Sequence, residues 1–161
     1  MGECVGLSWN AIDLTARDVY VARVVVETPG RCELRNYPKS RAGVRRVPLP
    51  AFAVETLAHH RERFTYSEDL VFATGTGAPL RRSTFRSRVW APTIKRAGLV
   101  GLRFHDLRHS YATWLVSENV PINVVQRLMG HEDASTTLSR YVHAPRDYDD
   151  RVRGLFDDEA C

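Results

Sequence analysis

The sequence predicts an α+β domain, mainly helical, with a small three-stranded antiparallel sheet near its amino end. Three observations carry this. β-Branched residues crowd between Val19 and Glu27, and Pro29-Gly30 follows to turn the chain back. Apolar residues recur at spacings of three and four in stretches that begin near Ala51, His105 and Pro121. The length of 161 residues suits one hydrophobic core, so 1–161 is read as a single domain.

Met1 to Leu7 reads as the tail of a helix that stops at Ser8-Trp9. Val19 to Glu27 is the first strand, Cys32 to Tyr37 returns antiparallel, and Arg45 to Leu49 supplies a third. Ala51 to Arg63 is an amphipathic helix with Phe52, Val54, Leu57 and Ala58 on its apolar side and His59 and His60 in solvent. Leu70 to Ala73 is a short apolar segment, after which Gly75, Gly77 and Pro79 break regular structure. Gly75-Thr76-Gly77 lacks the lysine and the following helix signal of a phosphate loop. Ser83 can cap a basic helix carrying Phe85, Val89 and Trp90, which Pro92 bends or interrupts. A helix from His105 to Ser117 has the stripe Leu107, Tyr111, Trp114 and Leu115, which sets His105 and Arg108 on one face of its first turn. Pro121 suits the first position of the next helix, Val124, Val125 and Leu128 form its stripe, and Gly130 suits a left-handed stop with His131 just beyond. Asp133 or Ser135 can cap a third short helix bearing Thr136, Thr137, Leu138 and Tyr141.

Charge is distributed unevenly around a net value of +4. Between Arg81 and Arg103 stand seven basic residues, including Arg81, Arg82, Arg86 and Arg88, and no acidic one. Between Arg31 and Arg46 stand six, including Lys39 and Arg41, against Glu33 alone. Two such segments flanking one site suit the phosphates of duplex DNA, the ordinary alternative being solvated faces. Residues 145–161 are different: three arginines face six carboxylates, a local balance of −3, with Val152, Leu155 and Phe156 as apolar anchors. Cys4, Cys32 and Cys161 are too scattered for a disulfide framework or a zinc knuckle. No apolar run approaches the ~20 residues of a membrane span, and the first residues lack a basic region followed by an apolar one, so no membrane and a cytoplasmic setting are expected.

The stretch from Leu102 to Tyr141 concentrates the chemistry. An arginine fork binds two phosphate oxygens at once, imidazoles can donate to the same group, and a phenol can act as nucleophile if helped to lose its proton. The set reads as attack by tyrosine on a phosphodiester, with side-chain cations neutralising the charge in place of a metal. His105 and His109 are four apart, as a metal pair would be, but no third ligand accompanies them at a plausible spacing.

His105-Asp106-Leu107-Arg108, Leu128-Met129-Gly130-His131 and the run from Thr136 to His143 resemble, in order and spacing, three successive motifs of the tyrosine recombinases, the phage integrase family. The resemblance implies a catalytic domain that recombines DNA site-specifically through a 3′-phosphotyrosyl intermediate, with neither metal nor other cofactor. By motif it assigns Tyr141 as nucleophile, Arg108 as the second catalytic arginine, and His105 and His131 as phosphate-binding or proton-transferring histidines. Lys39, in the turn before Arg45-Arg46-Val47-Pro48-Leu49, falls at the family's lysine, the general acid for the leaving oxygen. Double-stranded DNA is the implied partner, with Arg41, Arg81, Arg82, Arg86 and Arg88 offered to its backbone, and the acidic tail is where such chains can dock on a second copy.

The sequence departs from the family at its start. Met1-Gly2-Glu3 and Trp9 to Asp13 match the residues that follow the family's first arginine, which would fall just before Met1. The expectation is therefore of a catalytic domain truncated just after that position, inactive or impaired as it stands. The competing expectation is a DNA-binding remnant or regulator that performs no strand exchange; a type IB topoisomerase-like enzyme shares the chemistry but fits the motifs less well.

Overall fold

The computed structural model describes residues 1–29, 31–36 and 41–130. Helix α1 (Gly2–Val5) and a 3-10 turn at Trp9–Ala11 precede strands β1 (Ile12–Asp13), β2 (Asp18–Val21), β3 (Val24–Thr28) and β4 (Arg31–Arg35). A second 3-10 turn, Arg41–Gly43, leads into β5 (Arg45–Pro48). Then come α2 (Ala51–Arg63), α3 (Arg82–Phe85), a π-helical stretch at Arg86–Trp90, α4 (Ala91–Arg96), α5 (Phe104–Ser117) and α6 (Ile122–Met129). The architecture is α+β and mainly helical, with its strands gathered in the amino-terminal third.

The strand pairing differs in detail from the expected one. β2 pairs antiparallel with β1 and β5 to give the three-stranded sheet, while β3 and β4 form a separate hairpin that sets Val25 opposite Leu34. Val19 to Glu27 is thus two strands, and Ile12–Asp13 supplies a third that its residues did not announce. The break falls at Ala22-Arg23, where the Arg23 guanidinium donates to both carboxylate oxygens of Asp69, at 2.7 and 2.8 Å.

α1 rests on the backbone of β3. A Cβ on Gly2 would stand 2.8 Å from the Val25 carbonyl oxygen, so only glycine permits this approach. The next segment runs beside the Leu70 region: Trp9 N–H donates to the Asp69 carbonyl at 2.8 Å and Val71 N–H to the Leu7 carbonyl at 3.0 Å, burying Trp9, Leu70 and Val71. His60 belongs to this contact and not to solvent. Its Nε2 lies 2.7 Å from the Val71 carbonyl oxygen, and its ring centroid lies 4.7 Å from Phe64 and 5.2 Å from Phe72. His59 is exposed as expected.

The basic helix is capped from a distance. α3 begins at Arg82, and the Glu27 carboxylate at the end of β3 accepts the Arg82 N–H and the Ser83 hydroxyl, both at 3.1 Å. Ser83 therefore lies inside the helix instead of capping it. Pro92 lacks an N–H and its ring crowds the turn before it, which accounts for the wider π winding of Arg86–Trp90.

α5 and α6 make the principal core. Ala112 and Leu115 meet Val125, Leu128 and Met129, with Tyr111, Val116, Val120 and Val124 packed around them. The buried face of α5 is rotated from the expected stripe, since Leu107 is 45% and Trp114 58% exposed. Pro121 precedes α6 instead of opening it, its carbonyl accepting the N–H groups of Val124 and Val125. Gly130 ends α6 in the left-handed conformation, at φ 65°. Lys39, His131, Tyr141, the third helix and the tail 145–161 lie outside the described residues.

Candidate active site

α5 starts on a reciprocal cap. The Asp106 carboxylate accepts the Arg103 backbone N–H at 2.8 Å, and the Asp106 N–H donates to the Arg103 carbonyl at 2.9 Å. The Arg103 guanidinium closes on the same carboxylate at 2.9 Å and holds it below the ordinary carboxylate range. Asp106 is thereby engaged at the helix start, while His105 and Arg108 are presented from the same turn.

Arg108 joins two of the sequence motifs. Its Nη2 donates to the Met129 carbonyl, in the last turn of α6, so the His105-to-Arg108 segment meets the Leu128-to-Gly130 segment directly. Its Nη1 stands 3.8 Å from Glu3 Oε2. One turn along, the His105 and His109 rings meet edge to face with centroids 4.6 Å apart. Desolvation, then the charges of His109 and Arg108, push the His105 imidazole below its ordinary value of 6.5. An imidazole shifted in this direction is uncharged at neutral pH and offers one N–H donor and one free ring nitrogen.

Two further residues complete the arrangement, and the sequence reading did not single out either of them for the site. Arg45, on β5, donates through Nη1 and Nη2 to both carboxylate oxygens of Glu3, at 2.8 and 2.9 Å. Its Nε donates to the Leu128 carbonyl at 2.7 Å, and Nη1 also reaches the Gly43 carbonyl at 2.9 Å. The Arg45 side chain is only 8% exposed. Burial works to raise the Glu3 carboxyl, but the hydrogen bonds and charge of Arg45, with that of Arg108, leave it below its ordinary value of 4.5. In the sequence Glu3 stands only as a neighbour of the position before Met1, and Arg45 as one charge in a basic run.

The basic helix is docked against the start of α5. The rings of Phe85 and Trp90 stand edge-on to Phe104, at centroid distances of 5.9 and 5.3 Å, and Trp90 Nε1–H donates to the Leu102 carbonyl at 3.0 Å. Arg81, Arg82, Arg86 and Arg88 are all exposed on this segment, whose aromatic rings rest on Phe104, the residue before His105. The structure thus brings together Arg108, His105 and the basic helix. Lys39, His131 and Tyr141 are outside the described residues, as is the Arg41 side chain. Among the described residues no group of three or more His, Cys, Asp or Glu side chains could hold a metal, and no helix is long and apolar enough to cross a membrane.

Comparison with known proteins places the chain in a family. The chain is 29% identical over 178 residues to "Tyrosine recombinase XerC-like" of Caldanaerobacter subterraneus subsp. tengcongensis, covering 97% of the chain and 45% of the relative. It is 39% identical over 100 residues to the integrase of Salmonella phage P22, covering 60% of the chain and 26% of the relative. The chain therefore spans less than half the length of these relatives. Among solved structures, the Tn1549 transposon integrase in complex with circular intermediate DNA superposes with a TM-score of 0.79 at 19% identity, over 96% of the chain and 55% of that structure. The sequence pattern described as "Phage integrase family" matches residues 1–147, and the chain belongs to that family, with the fold of a tyrosine recombinase catalytic domain.

Proposed function

We propose that residues 1–161 are one catalytic domain that cuts and rejoins duplex DNA through a covalent tyrosine intermediate, in the service of site-specific recombination. The observation that carries this reading is the Arg108–Met129 contact, which joins the arginine of one motif to the Leu128-Met129-Gly130 segment of the next. In the proposed reaction a backbone phosphate sits on Arg108, with His105 and His131 donating to its oxygens. Tyr141 Oη gives its proton to a neighbouring imidazole and attacks phosphorus. The new bond joins phosphorus to the Tyr141 oxygen, the bond to the 5′ oxygen breaks, and Lys39 supplies the proton that makes the 5′-hydroxyl. Attack by a 5′-hydroxyl from another strand reverses these steps. Arg41, Arg81, Arg82, Arg86 and Arg88 track the flanking phosphates, which calls for no base contact and makes binding sensitive to salt. The acidic tail is proposed to contact a second copy on DNA, and the setting is the cytoplasm, where the DNA substrate is.

The family's first arginine is part of the proposal, because a phosphate gripped from two sides needs a second fork. A polypeptide of these 161 residues alone is expected to bind DNA yet cleave ~10²–10³-fold more slowly than one extended upstream to include Arg-x-Gly-Glu, the cost of one missing preorganised donor. The test is a nicked duplex that traps the covalent intermediate. The extended protein should form an adduct that Tyr141→Phe abolishes; an adduct that survives Tyr141→Phe removes Tyr141 as the nucleophile.

A further inference from the structure

Arg45 has the least exposed side chain of the described ion pairs, 8%, and the reaction proposed above gives it no task. We infer that Arg45 is a positioning residue: by gripping Glu3 and the end of α6 together, it sets the orientation in which Arg108 meets a phosphate. The inference rests on the proposed role of Arg108, but its central observation does not.

The last carbonyls of a helix have no partner within it, and donors placed there also meet the negative end of the helix dipole. At the end of α6 two successive carbonyls are taken by two arginines, Leu128 by Arg45 Nε at 2.7 Å and Met129 by Arg108 Nη2. Both guanidinium groups then face one carboxylate, Glu3, whose oxygens accept from Arg45 at 2.8 and 2.9 Å while Oε2 lies 3.8 Å from Arg108 Nη1. Arg45 is the member with no freedom. All three of its nitrogens donate, its side chain is 8% exposed, and the Arg108 side chain is 29% exposed. The fit is tight on the far side too, since a Cβ on Gly130 would lie 3.0 Å from Arg45 Nη1. Arg45 thus fixes Glu3 and α6, and these in turn fix Arg108. A lysine cannot replace this group, because one ammonium cannot donate along the carboxylate and to Leu128 in the fixed fork geometry that guanidinium supplies.

The test compares the wild-type chain with Arg45→Lys, Arg45→Met and Glu3→Gln, the last keeping the carboxylate's shape so that at least one variant folds. The first readout needs no activity: the Nε–H NMR resonance of Arg108, identified by its loss in Arg108→Lys, should be sharp in the wild type. It should broaden in Arg45→Met and Glu3→Gln and be only partly restored in Arg45→Lys, while circular dichroism stays native. The second uses the extended protein at saturating nicked duplex, where Arg45→Met should slow adduct formation at least tenfold while changing the half-saturating DNA concentration less than threefold. An Arg108 resonance that is unchanged in a folded Arg45→Met or Glu3→Gln variant overturns the positioning role. If the wild-type extended protein forms no adduct, the proposed function fails, and the resonance alone decides the inference.

Discussion

Replacing Gly130 by alanine probes the junction on which the candidate site is hung. Gly130 sits at φ 65°, where an L side chain costs about 1–2 kcal/mol. The new Cβ would also stand 2.9 Å from the Ala42 carbonyl oxygen, 3.0 Å from Arg45 Nη1 and 3.2 Å from Arg45 Cδ. Ala42 offers backbone and Arg45 is held by three partners, so neither can yield freely, and such overpacking adds roughly 1–3 kcal/mol. The expected total is about 3 kcal/mol, which for a chain of this size lowers the melting temperature by roughly 6–12 °C. Two other glycines separate the terms. Gly98 has φ 71° with nothing within 4 Å of a built Cβ, so Gly98→Ala should show the conformational cost alone, about 1 kcal/mol. Gly75 is open and carries no positive φ, so Gly75→Ala should be neutral or stabilise by about 0.5 kcal/mol through the unfolded chain. Thermal unfolding of the three variants, followed by circular dichroism at one protein concentration, gives the comparison. If Gly130→Ala costs no more than Gly98→Ala, the turn after α6 is not packed on Ala42 and Arg45, and the frame argued around Arg45 loses its support.

Four more outcomes are expected. Glu3 is held below its ordinary value, so its contribution is present above about pH 4.5 and is lost as pH falls through the folded value; the stability gap between wild type and Glu3→Gln should therefore shrink on acidification, and a gap that is constant from pH 7 to 3 contradicts the pairing. His105 should titrate below 6.5 by NMR, and His109→Gln should raise its midpoint only in part, because desolvation, the larger cause, remains. Trp90→Phe keeps the ring contacts with Phe104 but strands the Leu102 carbonyl, which should cost about 1 kcal/mol and shift the melting temperature by roughly 2–4 °C. DNA affinity measured against salt should fall with a slope of about −0.9 per phosphate contacted, and Arg86→Ala and Arg88→Ala should each flatten it by about that amount; slopes that do not change would take these two side chains off the backbone.

What the sequence disclosed and what it withheld divide along the distance over which each feature is determined. α2 and α5 are written in local periodicity, and their bounds fall at or within one residue of those read from spacing. The αL stop at Gly130 is equally local. The single strand expected from Val19 to Glu27 failed because β-propensity is continuous there, while the chain breaks at Ala22-Arg23, where Arg23 pairs with a residue 46 positions away. His60 looked solvated beside His59 and Arg61, yet its environment is made by Trp9, Phe64 and Phe72, all three outside its helix and Trp9 lying 51 residues away in the sequence. Glu27, and not Ser83, caps α3 for the same reason. The candidate site follows this rule in both directions. His105 and Arg108 were legible because one helical turn sets them side by side, and the basic run from Arg81 to Arg88 because charge is visible in any order. Arg45 was not, since its partners lie 42 and 83 residues away and an arginine between Val44 and Arg46 carries no local sign that it is buried. A fork almost wholly removed from water must be compensated, and here each of its three nitrogens finds an acceptor only because Glu3, Gly43 and Leu128 converge on it. That convergence is a property of the fold, and it is where the amino-terminal helix, the three-stranded sheet and the α5–α6 core become one structure.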